Sequence, residues 1–356
     1  MHQEGAGVIE IDGSTHSGSG TLLRYAVALA SLVGEPVHVF RVRAKRDKPG
    51  LRPQHLEALR ACSSLASGRL EGDEVGSREI YYYPGKGLKG GNYHWDIGTA
   101  GSTTMLAFTV IPPALFADGS CRFSIVGGLF QDFAPSAFHM QKVLFPLVRR
   151  MGAEVSLEVV RPGYVPQGGG RLVVSVEPRK GPLEALRMLE PGAVEHIRGL
   201  SLASHLKAEE VSERMERQCR ILLEAYGYSP DIEVLHDLSA AQKGAALLLW
   251  AETGAGCLLG ADQAGKRGRR SERIAEFVVN SLMADLRTGA TTDRHLADQL
   301  ILFAALARNK TEYLVPKITD HVLSNLWLVN KILGAKTEVE GNLVRIEGIG
   351  FSPSGR

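Results

Sequence analysis

A repeated order of strands and helices constrains the fold of this 356-residue chain more than any other feature. Three stretches share one plan: a turn rich in Gly, Ser and Thr, an apolar helix, a strand, a polar turn, a second helix and two further strands. The strand segments have a period of two, and the helical segments have apolar residues at helical spacing. This recurrence predicts an α+β fold of three βαβαββ units.

The positions of the helices define the three units and one interruption. The predicted helices, two in each unit, lie near residues 22–32, from 53, 105–116, 135–151, 293–306 and 321–333. Residues from about 184 to 285 break the pattern with two polar helices and two apolar strands, which predicts a small inserted α/β domain. We therefore expect a large domain of residues 1–183 and 286–356, with the inserted domain spanning residues 184–285.

Composition and charge narrow the class of protein. The chain is 44% hydrophobic and 22% charged, as is usual for a soluble globular enzyme. A net charge of +2 excludes a broadly polycationic nucleic-acid coat, so any contact with nucleic acid must be local. The residues that begin the chain form no apolar signal run, and no segment has the roughly 18 uninterrupted apolar residues of a membrane helix. We therefore expect a cytoplasmic protein without membrane contact.

The cysteines and glycine clusters exclude several kinds of site. The four cysteines are far apart and form no CxxC pair, which argues against structural zinc and a disulfide framework. Gly18-Ser-Gly20 lacks the spacing of a dinucleotide fingerprint. The segment from Gly260 to Arg267 is one residue short of a P-loop and has no hydroxyl ligand for magnesium, so a structural turn is favoured. Gly168-Gly-Gly170 predicts a tight turn or a close backbone approach.

A basic bend is the first candidate for a functional site. Residues 41–56 carry six cationic side chains around a Pro-Gly turn and then open a helix with Gln54 and His55. Arginine forks and helix N-termini both bind phosphate oxygens, so an anionic ligand would be suited to this bend. A solvated basic loop is the alternative.

Two further candidates lie near the chain's end. Thr319-Asp320 provides an N-cap that places His321 in a first helical turn, where the positive helix end favours a neutral, nucleophilic ring and attracts phosphate. The alternative is a histidine without chemistry. Asp298 and Gln299 form a carboxylate–amide pair at the edge of an apolar helix face, where they require partners or a ligand. A structural hydrogen-bond pair is equally consistent with this pattern.

Together these residues resemble the RNA 3′-terminal phosphate cyclase family, nearly from end to end. The resemblance lies in the order and spacing of short motifs, none of them decisive alone. The motifs are Ile11-Asp-Gly13, Leu23-Arg24, Arg43-Ala-Lys-Arg46, Pro49-Gly-Leu-Arg-Pro-Gln54-His55-Leu, Ile97-Gly-Thr-Ala-Gly-Ser102, Phe116-Ala-Asp-Gly119, Ala134-Pro135-Ser, Gly168-Gly-Gly170, Gly265-Lys-Arg-Gly268, Leu296-Ala-Asp298-Gln299-Leu and Asp320-His321.

The resemblance implies a fold, a reaction and a set of site residues. The fold would be three repeats similar to the C-terminal domain of translation initiation factor 3, with an inserted α/β domain. The reaction would be ATP-dependent conversion of an RNA 3′-phosphate to a 2′,3′-cyclic phosphate through a histidine–AMP and an RNA adenylate. His321 would be the nucleophile, and ATP with Mg²⁺ or Mn²⁺ would be required. The implied nucleotide and phosphate ligands are Arg24, Arg43, Arg46, Gln54, His55, Pro135, His295, Asp298 and Gln299.

The chain also departs from the family pattern. Where the family has Gly-Glu-Gly-Gly-Gly-Gln, residues 16–21 place Ser17 at the metal-associated glutamate and Thr21 at the glutamine. A glutamine expected later is Phe108, and an aromatic residue expected near adenine is His295. The metal ligands would then be Asp298 and, in place of the glutamate, Ser17.

Other functions stay open at this point. One is a non-catalytic, cyclase-like RNA-binding protein of ribosome biogenesis, a branch expected to lack the histidine that this chain has at position 321. Another is an adenylyltransferase acting on other nucleic-acid phosphate ends. An enolpyruvyl transferase shares the repeat architecture but should show six repeats and no inserted domain. A homodimer stays open as well.

Overall fold

The described residues form an α+β fold whose first sheet introduces a recurring strand order. The computed structural model describes residues 7–353. The first elements are β1 (Ile9–Asp12), α1 (Gly20–Val33), β2 (Val37–Phe40), α2 (Pro53–Leu65), β3 (Arg69–Glu71) and β4 (Ile80–Tyr83). β1 and β2 are parallel, and β4 pairs antiparallel with both β2 and β3. The sheet order is therefore β1-β2-β4-β3.

The second sheet has the same order, β5-β6-β8-β7. Its elements are β5 (Gly91–Asp96), α3 (Thr103–Ala114), β6 (Cys121–Gly127), α4 (Ala137–His139), a π-helical segment (Met140–Leu144), α5 (Phe145–Arg150), β7 (Glu154–Arg161) and β8 (Gly170–Glu177). Again the first two strands are parallel and the others antiparallel. The helix expected near residues 135–151 is thus one helical run whose middle turn is π-helical.

A separate four-stranded sheet lies in the next part of the chain. The elements there are β9 (Leu183–Glu184), β10 (Arg187–Met188), β11 (Val194–Ser204), α6 (Val211–Ala225), β12 (Asp231–Asp237), β13 (Gly244–Thr253), β14 (Leu258–Ala264) and α7 (Ser271–Arg287). The strands order as β12-β11-β13-β14, and α6 and α7 pack on this sheet and on each other. Residues 260–264 are strand, so the structural turn expected in the P-loop-like segment is confined to residues 265–270.

The third sheet of the recurring order combines two distant parts of the chain. The last elements are α8 (Leu296–Leu306), β15 (Ala307–Arg308), β16 (Lys310–Leu314), α9 (Asp320–Leu333), β17 (Lys336–Glu340) and β18 (Leu343–Glu347). Their sheet order is β10-β16-β18-β17, and β10 pairs in parallel with β16. The first strand of this sheet therefore precedes the separate sheet in sequence, whereas its other strands follow it.

Helices occupy the centre of the large core. All of α1 except its last residue is buried, as expected for a helix that is apolar around most of its circumference. It packs against α2, α3 and α9, and α9 packs against α8. Strands such as β7 alternate buried and exposed residues, so one face of their sheet is turned towards solvent. Within residues 7–353, no helix has the length and apolarity needed to span a membrane.

Candidate active site

A cavity of about 600 Å³ brings together the residues that the sequence singled out. Its lining includes His321 and all nine residues expected to bind nucleotide or phosphate: Arg24, Arg43, Arg46, Gln54, His55, Pro135, His295, Asp298 and Gln299. The substituted positions Thr21 and Phe108 also line it, whereas Ser17 does not. Residues that are nearly 300 positions apart in sequence thus line one cavity. The role of each of them stays a prediction.

Helix N-termini form much of the cavity wall. Helices α1, α2, α3, α8 and α9 each contribute a residue from the N-cap or the first turn. The first turns of α1, α2 and α3 contain no acidic residue that would offset their positive ends. Because helix N-termini carry unpaired N–H groups and a partial positive charge, their convergence favours an anionic ligand.

His321 lies in the first turn of α9, as the sequence predicts. Thr319 caps this helix, since its Oγ1 accepts a hydrogen bond of 3.2 Å from the Val322 N–H. The pKa of His321 is lowered by burial and then by the positive charges of Arg46 and Arg24. The ring is therefore neutral near pH 7 and has a nitrogen lone pair available for attack.

Arg24 supplies a buried and uncompensated positive charge to the cavity. The residue is 3% exposed, and its Nη2 has only a weak contact of 3.3 Å with the Met105 sulfur. Within residues 7–353 its Nε has no hydrogen-bond partner, and the guanidinium forms no ion pair. Burial lowers its pKa to about 10. A buried arginine without a carboxylate partner points to an anion as its missing partner.

The basic bend is folded into turns, not extended. The alternation of basic and small residues before the Pro-Gly turn predicts an extended segment, in which Lys45 would point away from Arg43 and Arg46. The prediction of an extended segment is wrong. Residues 42–48 form turns and bends, and Arg43 has a positive φ of 55°. Arg43 Nη1 donates to the Lys48 and Gly50 carbonyls at 2.7 and 2.8 Å, which fixes this turn.

Lys45 and Arg46 differ in what they contact. Lys45 Nζ donates to the His16 carbonyl at 2.8 Å and does not line the cavity. Arg46 is exposed and lines the cavity. Arg24, Arg43 and Arg46 thus form a series from buried to exposed, in which the outermost arginine is available to a ligand's solvent-side phosphate.

Gln54 and His55 open α2 and are held in place by the backbone. Gln54 Oε1 accepts from the Ser102 N–H at 3.0 Å, and His55 Nδ1 accepts from the Arg52 N–H at 3.2 Å. The pKa of His55 is held well below its usual value by burial and by the positive charge of Arg24. In the neutral ring Nε2 therefore has the proton. This atom lies against Gly20, where any Cβ would collide with it, and it can donate to an anion.

Asp298 and Gln299 lie at the start of α8 and face the cavity. Burial raises the pKa of Asp298 to about 7, and the negative charge of Asp293 adds to this effect. Gln299 is buried, and its Oε1 has no hydrogen-bond partner in the described part of the chain. An unpaired buried acceptor is costly, so a ligand that donates a hydrogen bond here is favoured over the structural alternative.

His295 and Pro135 lie beside a buried ion pair. His139 Nε2 is 3.0 Å from Asp293 Oδ2, and both side chains are fully buried. The same carboxylate accepts from the N–H groups of Gly260, His295 and Leu296, and His139 meets His295 edge to face at 5.6 Å. This network fixes the N-terminus of α8 and therefore the position of His295. The buried Pro135 lines the same cavity.

The oxygen ligands expected for a divalent ion, Ser17 and Asp298, are not arranged to hold one without help from a bound substrate. Ser17 Oγ is 2.8 Å from Ser324 Oγ and donates to Ser19 Oγ at 3.1 Å, so its hydroxyl is already paired, and Ser17 itself does not line the cavity. Asp298 is the acid at the cavity's inner wall, and its raised pKa reduces its charge near pH 7. Within residues 7–353, no three His, Cys, Asp or Glu residues are grouped as metal ligands.

Several residues of the site were missed from the sequence. Residues 131–133, directly before the Ala134-Pro135 motif, line the cavity and include the exposed Phe133. Asp132 pairs through both oxygens with Arg269 at 2.9 Å. No periodic pattern marks these positions, but an aromatic residue between Asp and Ala-Pro in a loop is an available signal. The close approach expected at Gly168 is confirmed, because a Cβ there would overlap Ala100 and Thr99.

Comparisons with known proteins agree on one family. A family model described as RNA 3′-terminal phosphate cyclase matches residues 15–339. The chain is 39% identical to an RNA 3′-terminal phosphate cyclase of Archaeoglobus fulgidus over 342 residues, which covers 96% of this chain and 100% of that protein. It is 36% identical to one of Methylococcus capsulatus over 352 residues, covering 96% and 97%.

A likeness among solved structures is much weaker. The enolpyruvyl transferase NikO of Streptomyces tendae aligns with 98% of this chain and 50% of its own, at a TM-score of 0.42 and 10% identity. That value is too low to carry an argument. The near full-length match to the family model and to its members, on the other hand, is decisive: the chain belongs to the RNA 3′-terminal phosphate cyclase family.

Proposed function

We propose that this chain converts an RNA 3′-terminal phosphate to a 2′,3′-cyclic phosphate at the expense of ATP, with His321 as covalent nucleophile. The observation that carries the proposal is the convergence of a neutral His321, an unpaired Arg24 and five helix N-termini on one cavity. A nucleophile and an anion-binding wall together suit attack on a phosphate ester. Family membership supports the same reaction.

The first step would be attack of a His321 ring nitrogen on the α-phosphorus of ATP. A nitrogen–phosphorus bond forms, the bond to the β-phosphate oxygen breaks, and pyrophosphate leaves. Arg24 would bind the charge that develops on the α-phosphate, because it is buried and has no competing carboxylate. Arg43, Arg46 and the His55 Nε2–H would hold the outer phosphates of a triphosphate that brings its own cation as part of the substrate.

The next two steps would move the adenylyl group to RNA and close the ring. An oxygen of the RNA 3′-phosphate attacks the phosphorus on His321, and the nitrogen–phosphorus bond breaks. The 2′-hydroxyl oxygen then attacks the 3′-phosphorus and forms a new P–O bond. The anhydride bond from that phosphorus to AMP breaks, AMP leaves with the bonding electrons, and the hydroxyl proton passes to solvent. Activation is required because the dianionic 3′-phosphate has no good leaving group of its own.

We also propose that the three sheets of common order are three βαβαββ units, similar to the C-terminal domain of translation initiation factor 3. The supporting observation is the shared strand order with one parallel and two antiparallel pairings in each sheet. The proposed large domain comprises residues 1–183 and 286–356, and the proposed inserted domain residues 184–285. Because β10 pairs in parallel with β16, we propose that the first part of the large domain ends a few residues later, near Met188.

The test of the function is covalent labelling followed by product analysis. Wild-type protein incubated with α-labelled ATP should acquire an acid-labile, alkali-stable AMP, and RNA with a 3′-phosphate should become resistant to phosphatase. His321→Ala should lose both activities and keep its fold. The matched control is His94→Ala, which removes an exposed histidine on β5 outside the cavity lining.

Each outcome of this test has a distinct meaning. Wild-type protein that forms no covalent AMP and leaves the RNA end unchanged would overturn the proposal and favour a non-catalytic RNA-binding role. Covalent AMP with an unchanged RNA 3′-phosphate would indicate adenylylation of other nucleic-acid ends. Labelling of His321→Ala at the wild-type rate would reject His321 as the nucleophile.

A further inference from the structure

Phe133 is an exposed aromatic residue at the mouth of the cavity. Its side chain is fully exposed, although it lines the cavity together with the buried Pro135. Its backbone is in the left-handed region with a φ of 68°, which is unfavourable for a residue with a Cβ. The left-handed backbone and the exposure of a large apolar ring to water are both unfavourable in free energy. Backbone strain of this kind is concentrated at functional sites.

The loop that carries Phe133 is held from both sides. We call residues 131–136 the Phe133 loop. The preceding Asp132 forms two hydrogen bonds of 2.9 Å with Arg269, and the following Ser136 N–H donates to Asp262 at 2.8 Å. Both partners belong to β14 or the loop after it. The strained conformation is therefore imposed by the surrounding structure, which fixes where the ring is presented.

A basic loop lies next to the Phe133 loop. We call residues 265–270, between β14 and α7, the basic loop. It contains Arg269, the partner of Asp132, and the exposed Lys266, Arg267 and Arg270. Lys266 is close enough to help lower the pKa of Asp132, after the larger effect of the Arg269 hydrogen bond. Three exposed cations thus lie in the loop that binds the residue next to Phe133, and none of them lines the cavity itself.

We propose that Phe133 stacks on the 3′-terminal base of a single-stranded RNA, while the basic loop binds the RNA backbone just upstream. The combination of an aromatic platform and adjacent cations is typical of single-strand recognition, in which stacking tolerates any base. The proposal rests on the proposed function and deepens it, because it assigns the substrate side of the same cavity. The terminal phosphate would enter between Phe133 and the arginines.

The position of the ring separates this role from binding of the adenine of ATP. Pro135 and His295 lie deeper in the cavity, where a base would be enclosed. Phe133 has no packed face, so it is placed to meet a ligand that arrives from solvent. RNA must approach from that side, because its chain continues outside the cavity.

The test is an RNA-binding measurement that needs no ATP. Fluorescence anisotropy of a labelled single-stranded oligoribonucleotide with a 3′-phosphate should show binding about 5- to 150-fold weaker for Phe133→Ala, which corresponds to roughly 1–3 kcal/mol for one stacked base. Phe133→Trp should retain the wild-type affinity. The matched control is Phe277→Ala, which removes an exposed phenylalanine of α7 outside the cavity lining.

An oligonucleotide whose terminal nucleotide lacks its base isolates the stacking interaction. The wild type should bind it more weakly by the same factor, and Phe133→Ala should then bind it as the wild type does. For the basic loop, Lys266→Ser with Arg267→Ser should reduce the slope of log affinity against log salt by about 0.7 for each phosphate that these side chains neutralise. Lys336→Ser, an exposed lysine of β17, should leave the slope unchanged.

The outcomes separate this inference from the proposed function. Equal affinity of wild type and Phe133→Ala, or an equal reduction with both oligonucleotides, overturns the stacking interaction even if the protein cyclises RNA. Loss of covalent AMP formation by Phe133→Ala with ATP alone assigns the ring to adenine and also overturns it. Binding that depends on Phe133 in a wild-type protein without covalent AMP supports the stacking interaction and overturns the proposed function alone.

Discussion

Replacing Arg24 by Met should stabilise the ligand-free protein while removing its response to phosphates. Burial lowers the pKa of Arg24 well below the ordinary value of an arginine, to about 10, and no carboxylate in the described structure pairs with it. Each tenfold loss of proton affinity corresponds to about 1.4 kcal/mol, so the charged side chain destabilises the folded state by about 3 kcal/mol. Met retains most of the apolar stem and leaves no charge behind.

The sign of this effect follows from linkage. Arg24 is a base whose folded pKa lies below its unfolded value, so the folded protein holds its proton less tightly. The destabilisation is complete at any pH below about 10 and decreases as the pH rises from there towards the pKa of an unfolded arginine. Measurements near pH 7 therefore contain the full effect.

Thermal unfolding without ligand measures the stability of the free protein. The same measurement with ATP or pyrophosphate measures how much these phosphates stabilise it. Without ligand, Arg24→Met should unfold about 4 °C above the wild type, as about 3 kcal/mol implies for a chain of 356 residues. With millimolar ligand the wild type should gain stability and Arg24→Met should not. Arg269→Met is the matched control and should lower the unfolding temperature, because it leaves Asp132 without its ion-pair partner. A ligand-free Arg24→Met protein that unfolds below the wild type would refute the reasoning.

Three further predictions concern protonation and charge. The lowered pKa of His321 predicts that the rate of covalent AMP formation is constant from about pH 7 upwards and falls only in acid, so a tenfold rise between pH 7 and 8 would contradict it. Asp293→Asn should cost about 3–5 kcal/mol in thermal unfolding because it leaves the buried His139 unpaired. In a cyclisation assay, Arg46→Ala should lose about 1–3 kcal/mol of transition-state binding and Lys45→Ala much less; equal losses would indicate a diffuse basic patch.

The local elements and a few candidate site residues, such as His321, were accessible from the sequence because each has a local signal. Residues close together in sequence determine the capped first turn of α9 and the apolar run of α1. The structure has both. The convergence of Arg24, Asp298 and His321 was predicted only through resemblance, since no local pattern connects positions so far apart. Their common location follows from the strand order, which brings the N-termini of several helices to one cavity.

The parts that escaped prediction are those set by tertiary contacts. β10 has two residues, too few for any periodicity, and exists as a strand because β16 lies beside it. The turns around Lys45 depend on the hydrogen bonds of Arg43 to two carbonyls, which a sequence of alternating basic and small residues does not reveal. Phe133 is exposed because Arg269 holds the loop, and that ion pair joins residues 137 positions apart.

The charges around the cavity suit it to a polyanion, although the chain as a whole is nearly neutral. Arg24 has no carboxylate partner, while Asp132 is neutralised by Arg269 and Asp298 has a pKa raised to about 7. Ser17 stands where relatives are expected to have a glutamate. Its side chain adds no charge and is hydrogen-bonded to Ser324. The positive helix N-termini are therefore left with little local opposition. A triphosphate or an RNA end would provide the missing negative charge beside the neutral ring of His321.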